Sequence, residues 1–301
     1  MSRPSGGVRI ALVVILVIGL LGGLAGGHAF TQLSADPQRS ADGTVVLESG
    51  YAETDGFIAL YDAGQPAGAE PIGVEPFSAG RVDVTEIPVR IEAGPWAPVD
   101  GHLVVRAVMY HDDGETPGQF DAADSPQLTY GEPTATTFAV GKATGPVYVS
   151  AAGVGAQRDT AALQVREVAL ERAGHLVVRR ASPPDEGTVI GVRSLEAGVH
   201  SAIAIPLDER YVAAQSALFS ANVTIHTDDG DGVFEPADPA VSVDGAAVGT
   251  RVSIDPQANA TAAPRDDGVS TPGLGTSLVA LALLSGLLAA GLWVRRRRAE
   301  P

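Results

Sequence analysis

The 301-residue chain contains no cysteine and one lysine, Lys142. The missing cysteines exclude disulfides, thiolate metal sites and cysteine nucleophiles. Six of the 20 basic residues and one of the 36 acidic residues lie at the two ends, so residues 30–272 carry 14 basic and 35 acidic residues, a net charge of −21. A surface this acidic repels phosphate groups, and nucleic acid is not expected as a partner.

Catalytic motifs are also missing from the sequence. It has no HExxH pair, no GxSxG turn and no Walker or dinucleotide-binding glycine loop. The six histidines are scattered along the chain. The sequence therefore predicts a protein that is not an enzyme and needs no cofactor, with a surface hydrolase of unrecognised site as a weaker alternative.

The N-terminus has the pattern of a secretory signal. Arg3 and Arg9 precede an apolar run from Ile10 to Leu24, which ends at the small-x-small site Gly27-His28-Ala29. This layout predicts that residues 1–29 are a signal peptide, or an uncleaved signal anchor because the run is slightly long.

The C-terminus has the pattern of a membrane anchor. Residues 256–273 are rich in Ala, Thr, Pro and Asp and predict a flexible stalk. Residues 274–294 contain no charge and are long enough to cross a bilayer of about 30 Å as a transmembrane helix. The Arg295–Arg298 cluster predicts a cytoplasmic tail over 295–301, and therefore an extracellular region over about 30–272 at the cell membrane.

The tail also resembles a known sorting signal. "TPGLG", an apolar helix and a terminal arginine cluster look like the PGF-type signal of haloarchaeal surface proteins, with Leu274 in place of the motif's Phe. The resemblance implies cutting by an archaeosortase and attachment to a lipid, after which the cytoplasmic tail is lost.

The composition, with many acids, one lysine and abundant Ala, Val and Gly, resembles that of proteins of salt-loving archaea. An acidic extracellular protein of a GC-rich organism is the alternative.

The region between the two ends consists of two copies of one pattern. Gly56 matches Gly174 and Ile72 matches Ile190, both 118 residues apart, and His111 is matched to His226. Short β-branched and apolar segments alternate with Gly, Pro and Asp turns in each copy. We expect an all-β fold with two tandem β-sandwich, immunoglobulin-like domains over 30–145 and 146–255.

Both copies resemble a haloarchaeal extracellular β module of uncharacterised function. The shared features are the Gly56-Phe57 strand, the "GVRSLEAG" turn at 191–198, and the acidic loops after His111 and His226. The resemblance implies a surface location and a β fold, and no activity.

The acidic loop of the second copy, "TDDGDGVFEPAD" at 227–238, has the spacing of a calcium loop when numbered from Thr227. The candidate ligands are Asp229, Asp231, Glu235 and Asp238, and hard carboxylate oxygens suit calcium. Thr227 replaces the usual first aspartate, no flanking helix is evident, and an Asp-Gly hairpin turn explains the loop without metal. Calcium binding and a plain turn both remain open.

Two sequons and the general layout complete the prediction. Asn259 and Asn222 are candidate glycosylation sites, in the stalk and in a strand respectively.

The sequence favours a structural or adhesive surface protein whose partners are the membrane and surface-layer or other cell-surface proteins. The alternative is a module that binds an extracellular ligand or ion.

Overall fold

The computed structural model describes residues 33–49, 52, 54–66, 68–79, 85–151, 156–158, 161–183 and 187–256. The predicted signal or anchor segment, the stalk beyond residue 256, the predicted transmembrane helix and the basic tail lie outside these residues. Within them, every helix is too short or too polar to cross a bilayer. The fold is all-β, with 54% strand and 4% helix, which confirms the predicted class.

The described residues of the first copy form ten strands and one helical turn. These are β1 (Leu33–Ser34), β2 (Gln38–Ser40), β3 (Thr44–Ser49), β4 (Gly56–Asp62), β5 (Gly73–Phe77), β6 (Thr85–Arg90), α1 (Ala93–Trp96), β7 (His102–His111), β8 (Leu128–Thr129), β9 (Glu132–Pro133) and β10 (Ala135–Lys142).

The second copy repeats this order element by element. Its elements are β11 (Tyr148–Ala151), β12 (Ala156–Gln157), β13 (Ala162–Leu170), β14 (Gly174–Arg180), β15 (Val189–Leu195), β16 (Gly198–Pro206), α2 (Glu209–Ala213), β17 (Phe219–Thr227), β18 (Ser242–Val243), β19 (Ala246–Ala247) and β20 (Gly249–Ile254).

Each copy contains a three-stranded and a five-stranded sheet with the same topology. The orders are β1-β3-β6 and β2-β10-β7-β4-β5 in the first copy, and β11-β13-β16 and β12-β20-β17-β14-β15 in the second. Within the five-stranded sheets, β10 pairs with β2, and β20 with β12, in parallel; the other pairs are antiparallel. The sequence repeat is therefore a repeat of topology.

Alternation along the strands builds one apolar core between the two sheets of each copy. In β3, Val45 and Leu47 are fully buried while their neighbours are partly exposed, which is the period of a strand with one face on a core. Ile58 and Met109, from the facing five-stranded sheet, belong to the same buried cluster. Two sheets that enclose one core form a β-sandwich.

A close approach between strands requires glycine at the same place in both copies. A Cβ on Gly174 at the start of β14 would lie 2.4 Å from the carbonyl oxygen of His226, and one on Gly56 would lie 2.0 Å from that of Tyr110. Only a residue without a side chain fits there. This contact gives a physical reason for the Gly56–Gly174 match in the sequence.

Polar contacts join the two copies. The hydroxyl of Ser150 and the backbone N–H of Ala151 both donate to Glu48 Oε1, over 2.6 and 2.9 Å. The Arg39 guanidinium lies 3.9 Å from the Glu171 carboxylate. These bonds connect β3 and the end of β2 in the first copy to β11 and the β13–β14 turn in the second.

Backbone pairing and a buried carboxyl reinforce this contact between the copies. Arg39 and Val147 exchange two backbone hydrogen bonds, of 2.8 and 2.9 Å. Asp36 interacts with the hydroxyl of Thr250, and its burial raises its pKa to about 6, with nearby Glu48 adding to the rise. The copies therefore contact each other through main chain and side chains, and the described residues belong to one compact unit.

Candidate functional site

The structure separates the four predicted calcium ligands into two groups. Asp229 and Asp231 are exposed, and their carboxylates lie with that of Asp228 within 4.8 Å of one another. Glu235 is exposed and outside that group, while Asp238 is buried beneath the loop. The predicted spacing therefore brings two of its four residues together and adds Asp228, which the sequence pattern had not selected.

Side chains in this loop bind its own backbone. Asp228 Oδ1 accepts hydrogen bonds from the N–H groups of Gly230 and Gly232, at 2.9 and 3.2 Å, and these bonds lower the pKa of Asp228. Asp231 Oδ1 accepts from the N–H of Val233 at 2.7 Å. Such turns order the loop without any ion.

The strand register corrects the predicted match of His111 with His226. Gly56 pairs with His111, whereas Gly174 pairs with Thr227, so the residue equivalent to His226 is Tyr110. The prediction was one residue out because it matched the two histidines by residue type, and the loop that follows them is two residues longer in the first copy. In the first copy, the Asp112 carboxylate accepts a hydrogen bond from the N–H of Gly118, six residues later in the chain. In the second copy, the Asp228 carboxylate accepts the equivalent bond from Gly232, only four residues later.

Correct alignment shows that two aromatic residues of the first copy are histidines in the second. Phe120 packs edge-on against Phe57 and Tyr110, with ring centroids 5.7 and 5.0 Å away. Phe234 packs in the same way against His175 and His226, at 5.8 and 5.4 Å. The second copy thus places two imidazoles where the first has an aromatic cluster.

His175 is fully buried and faces two carboxylates of the loop. Its Nε2 lies 3.8 Å from Asp228 Oδ1 and 3.8 Å from Asp238 Oδ2. Among the described residues, it is a buried side-chain nitrogen without a hydrogen-bond partner. Its Nδ1 lies 2.9 Å from the hydroxyl of Ser194, which in turn donates to the carbonyl of Gly232 at 3.3 Å.

His226 holds the loop in place beside this group. Its Nδ1 lies 2.8 Å from the carbonyl oxygen of Asp238, to which it donates, and its Nε2 lies 3.2 Å from the hydroxyl of Thr224. Burial lowers the pKa of His226, so the neutral imidazole is favoured. His226 therefore fixes the backbone of Asp238 and has both ring nitrogens engaged.

Ser194, His175 and Asp228 are the three residue types of a hydrolase triad, and His175 lies between the other two in space. Their distances differ from those of a triad. A triad needs the carboxylate within hydrogen-bond distance of the imidazole, about 2.6–3.2 Å. Here the gap is 3.8 Å, and the serine hydrogen is directed to the carbonyl of Gly232. The distances of a Ser-His-Asp triad are therefore not met in this group.

His175 was missed at the sequence level, although the repeat contained a signal for it. "GFIALYD" in the first copy becomes "GHLVVRR" in the second, so an apolar core position changes to histidine. A histidine at a core position of one copy alone indicates a polar role that the other copy lacks.

The two predicted glycosylation sites have different positions. Asn222 is half-buried in β17, where its side-chain oxygen accepts a hydrogen bond from Arg251 Nε at 3.3 Å. Asn259 lies outside the described residues. Glycosylation at either position stays a prediction.

Comparisons with known proteins concern the second copy and the fold. Residues 151–255 match the model of a family described as "Domain of unknown function (DUF7282)". No curated protein sequence matches the chain. A crystal structure of native alpha-2-macroglobulin from Escherichia coli, spanning domains NIE-MG1, is similar at 13% identity, over 65% of this chain and 94% of that one. Its TM-score of 0.19 is too low to support an inference.

Proposed function

We propose that this chain is a non-enzymatic, membrane-anchored cell-surface protein of a halophile with a structural or adhesive role. Two immunoglobulin-like sandwiches stand outside the cell, anchored by the C-terminal segment. The signal pattern of residues 1–29, the uncharged run 274–294 and the charge of −21 between them support this location. The family resemblances of the sequence point the same way.

The observation that carries the structural role is the contact between the two copies. Arg39 and Val147 pair through their backbones, and Glu48 Oε1 accepts two hydrogen bonds from the second copy. These bonds restrict hinge motion between the sandwiches. A tandem held in this way acts as a spacer that keeps its outer end at a fixed distance from its anchor. Surface-layer or other cell-surface proteins are the partners that such a spacer would contact.

Protease treatment of intact cells tests the proposed location. Protease should destroy epitopes within residues 30–272, while a tag placed after Arg298 stays protected if the tail remains in the cytoplasm. Loss of the tag with the extracellular epitopes retained at the surface would indicate processing of the tail. Full protection of residues 30–272 would contradict the surface location.

The exposed carboxylates of the second loop favour a second candidate, an extracellular calcium-binding module. Asp228, Asp229 and Asp231 offer oxygens close together at the surface. If they bind calcium, millimolar Ca²⁺ at constant ionic strength raises Tm by preferential binding to the native state. Asp229→Asn combined with Asp231→Asn should abolish the rise. An unchanged Tm in the parent protein would show that the loop is a turn that does not bind calcium.

A further inference from the structure

The buried side of the acidic loop contains an imidazole nitrogen, His175 Nε2, that no protein group satisfies among the described residues. Because the Ser194 hydroxyl donates to Gly232, it accepts the hydrogen of His175 Nδ1. In the neutral form of the ring this bond leaves a lone pair on Nε2, which lies 3.8 Å from oxygens of Asp228 and Asp238. Asp228 Oδ1 accepts the N–H groups of Gly230 and Gly232, and Asp238 Oδ2 accepts that of Glu235 at 2.8 Å, whereas Nε2 has no partner. A positive ion beside Nε2 would give this buried nitrogen a partner and interact favourably with both carboxylates.

A proton on Nε2 would not satisfy this arrangement. An N–H to carboxylate hydrogen bond spans about 2.7–2.9 Å, and both gaps here are 3.8 Å. A metal ion suits the gaps better. Ligand bonds of about 2.1 Å in a tetrahedral site separate the ligand atoms by roughly 3.4 Å. Each gap from Nε2 exceeds that separation by about 0.4 Å, and the loop must also bring the two carboxylates together, because the ligand atoms within 4.8 Å of one another are those of Asp228, Asp229 and Asp231.

The hydrogen bond on the other ring nitrogen is the one that a metal-binding histidine makes. Such a histidine donates its second N–H to a fixed acceptor, which sets the tautomer and the ring orientation. Ser194 supplies that acceptor for His175. His226 holds the carbonyl of Asp238, and so positions the second carboxylate.

The donor atoms select the class of ion. Imidazole with carboxylates suits divalent first-row transition metals, whereas calcium prefers oxygen ligands alone. The Arg179 guanidinium lies 5.8 Å from the centroid of Phe234, near the same loop. The carboxylates of Asp229 and Asp231, together with the two proposed ligands, outweigh this single positive charge.

The first copy supplies an internal comparison. Phe57 occupies the position of His175, and the counterpart of Asp238 is Asp124, which accepts backbone hydrogen bonds from Asp113, Gly114 and Asp121. Asp238 accepts one such bond, from Glu235, so its carboxylate has fewer backbone donors than that of Asp124. The first copy adopts the same fold with the apolar ring of Phe57 at this position. Packing alone therefore does not require the histidine found in the second copy.

We propose that the second copy binds one divalent transition-metal ion of the zinc class through His175 Nε2, Asp228 and Asp238. The ion lies beneath the acidic loop and ties it to β14. Solvent or the exposed carboxylates of the loop complete the coordination. This site does not depend on where in the cell the protein resides.

Metal titration of the full-length chain tests the proposal. The protein is purified in detergent, stripped with EDTA and titrated with Co²⁺ and Zn²⁺ at constant ionic strength. We expect one Co²⁺ per chain, visible absorption that Zn²⁺ abolishes, and a rise in Tm with either ion. No absorption and no change in Tm in the parent protein would overturn the proposal.

Matched variants assign the ligands. His175→Phe copies the residue of the first copy, and Asp228→Asn keeps an oxygen for the N–H groups of Gly230 and Gly232. Each should weaken Co²⁺ binding by more than about 100-fold, since ligand loss exceeds the 10–100-fold cost of an outer-sphere change. His102→Phe, at the partly exposed His102–Asp244 pair, is the control and should bind like the parent.

The outcomes separate this site from the calcium candidate and from misfolding. Co²⁺ binding that survives His175→Phe but is lost with Asp229→Asn and Asp231→Asn places the ion on the exposed carboxylates and overturns the proposal. If His175→Phe lacks the parent's circular dichroism, Asp228→Asn decides, because it retains the hydrogen bonds of the loop. Parent-like binding in a folded Asp228→Asn protein would also overturn it.

Discussion

At the scale of the residue, Asp36 is a carboxyl group that is partly removed from water beside the contact between the two copies. Burial raises its pKa to about 6, against 3.8 for the free group, although the Thr250 hydroxyl opposes the rise. The folded state therefore holds a proton that the unfolded state releases between pH 4 and 6. The stabilising contribution of neutral Asp36 is complete below pH 3.8 and is lost as pH rises through 6.

Asp36→Asn should remove this pH dependence. A shift of about two pKa units corresponds to roughly 3 kcal/mol, so the variant should be more stable than the parent by up to about that amount at pH 7. Below pH 4 the two proteins should be equally stable. Urea unfolding at several pH values measures the difference.

The control for this prediction is Asp229→Asn, which removes an exposed charge in the acidic loop. Its free energy of unfolding should change little relative to the parent at pH 7. A stability difference between Asp36→Asn and the parent that stays constant from pH 4 to 7 would show that Asp36 is ionised in the folded protein.

At the scale of the element, the sequence predicts strands well and their partners poorly. β-branched alternation, as in β3, and the Gly56–Gly174 match indicated the all-β class and the repeat. The match of His111 with His226 failed because equal residue types were aligned across loops of unequal length. Only the hydrogen-bond register of β14 with β17 settles that alignment.

The candidate site shows the same limit. The acidic loop could be found from its spacing, because its residues are neighbours in sequence. His175 lies more than fifty residues earlier, and reaches the loop only because β14 pairs with β17. The spacing of acidic residues in the sequence is enough to find the loop. The residues that the loop contacts depend on which distant strands pair with each other. Asp228 was passed over because the calcium-loop numbering began at Thr227.

Gly174→Ala should destabilise the pairing of β14 with β17. The new Cβ would lie 2.4 Å from the backbone oxygen of His226 and 3.3 Å from the Leu170 side chain, so a strand must shift. We expect a loss of at least about 2 kcal/mol in the free energy of unfolding. Urea midpoints of the parent and the variant measure it.

Gly94→Ala is the matched control for that substitution. A Cβ on Gly94 in α1 meets no atom within 4 Å beyond its chain neighbours, so the same change there should cost less, the cost being limited to the preference of a residue before Pro95 for extended backbone. Equal urea midpoints for the two variants would show that β14 and β17 separate at no cost and that the glycine is not required by close approach.

At the scale of the whole molecule, repetition and charge act together. Both copies have the same topology and are joined by backbone pairing, so the two acidic sandwiches are held in contact. Turn aspartates such as Asp113 and Asp121 are held ionised by hydrogen bonds from their loops, which lower the pKa of each. Most of the net charge of −21 over residues 30–272 therefore lies on the compact unit that the structure describes.

Stability should rise with salt concentration for this reason. The Debye length is about 10 Å at 0.1 M ionic strength and about 3 Å at 1 M, so salt screens repulsion among carboxylates that unfolding would otherwise relieve. Tm measured by circular dichroism should increase from 0.1 to 1 M, equally for KCl and NaCl if screening is the cause. Sucrose, which strengthens apolar burial without screening charge, is the control and should not reproduce the full increase. A Tm that is flat across this range would mean that the acidic surface is not a source of strain, and would remove the physical argument for a halophilic protein.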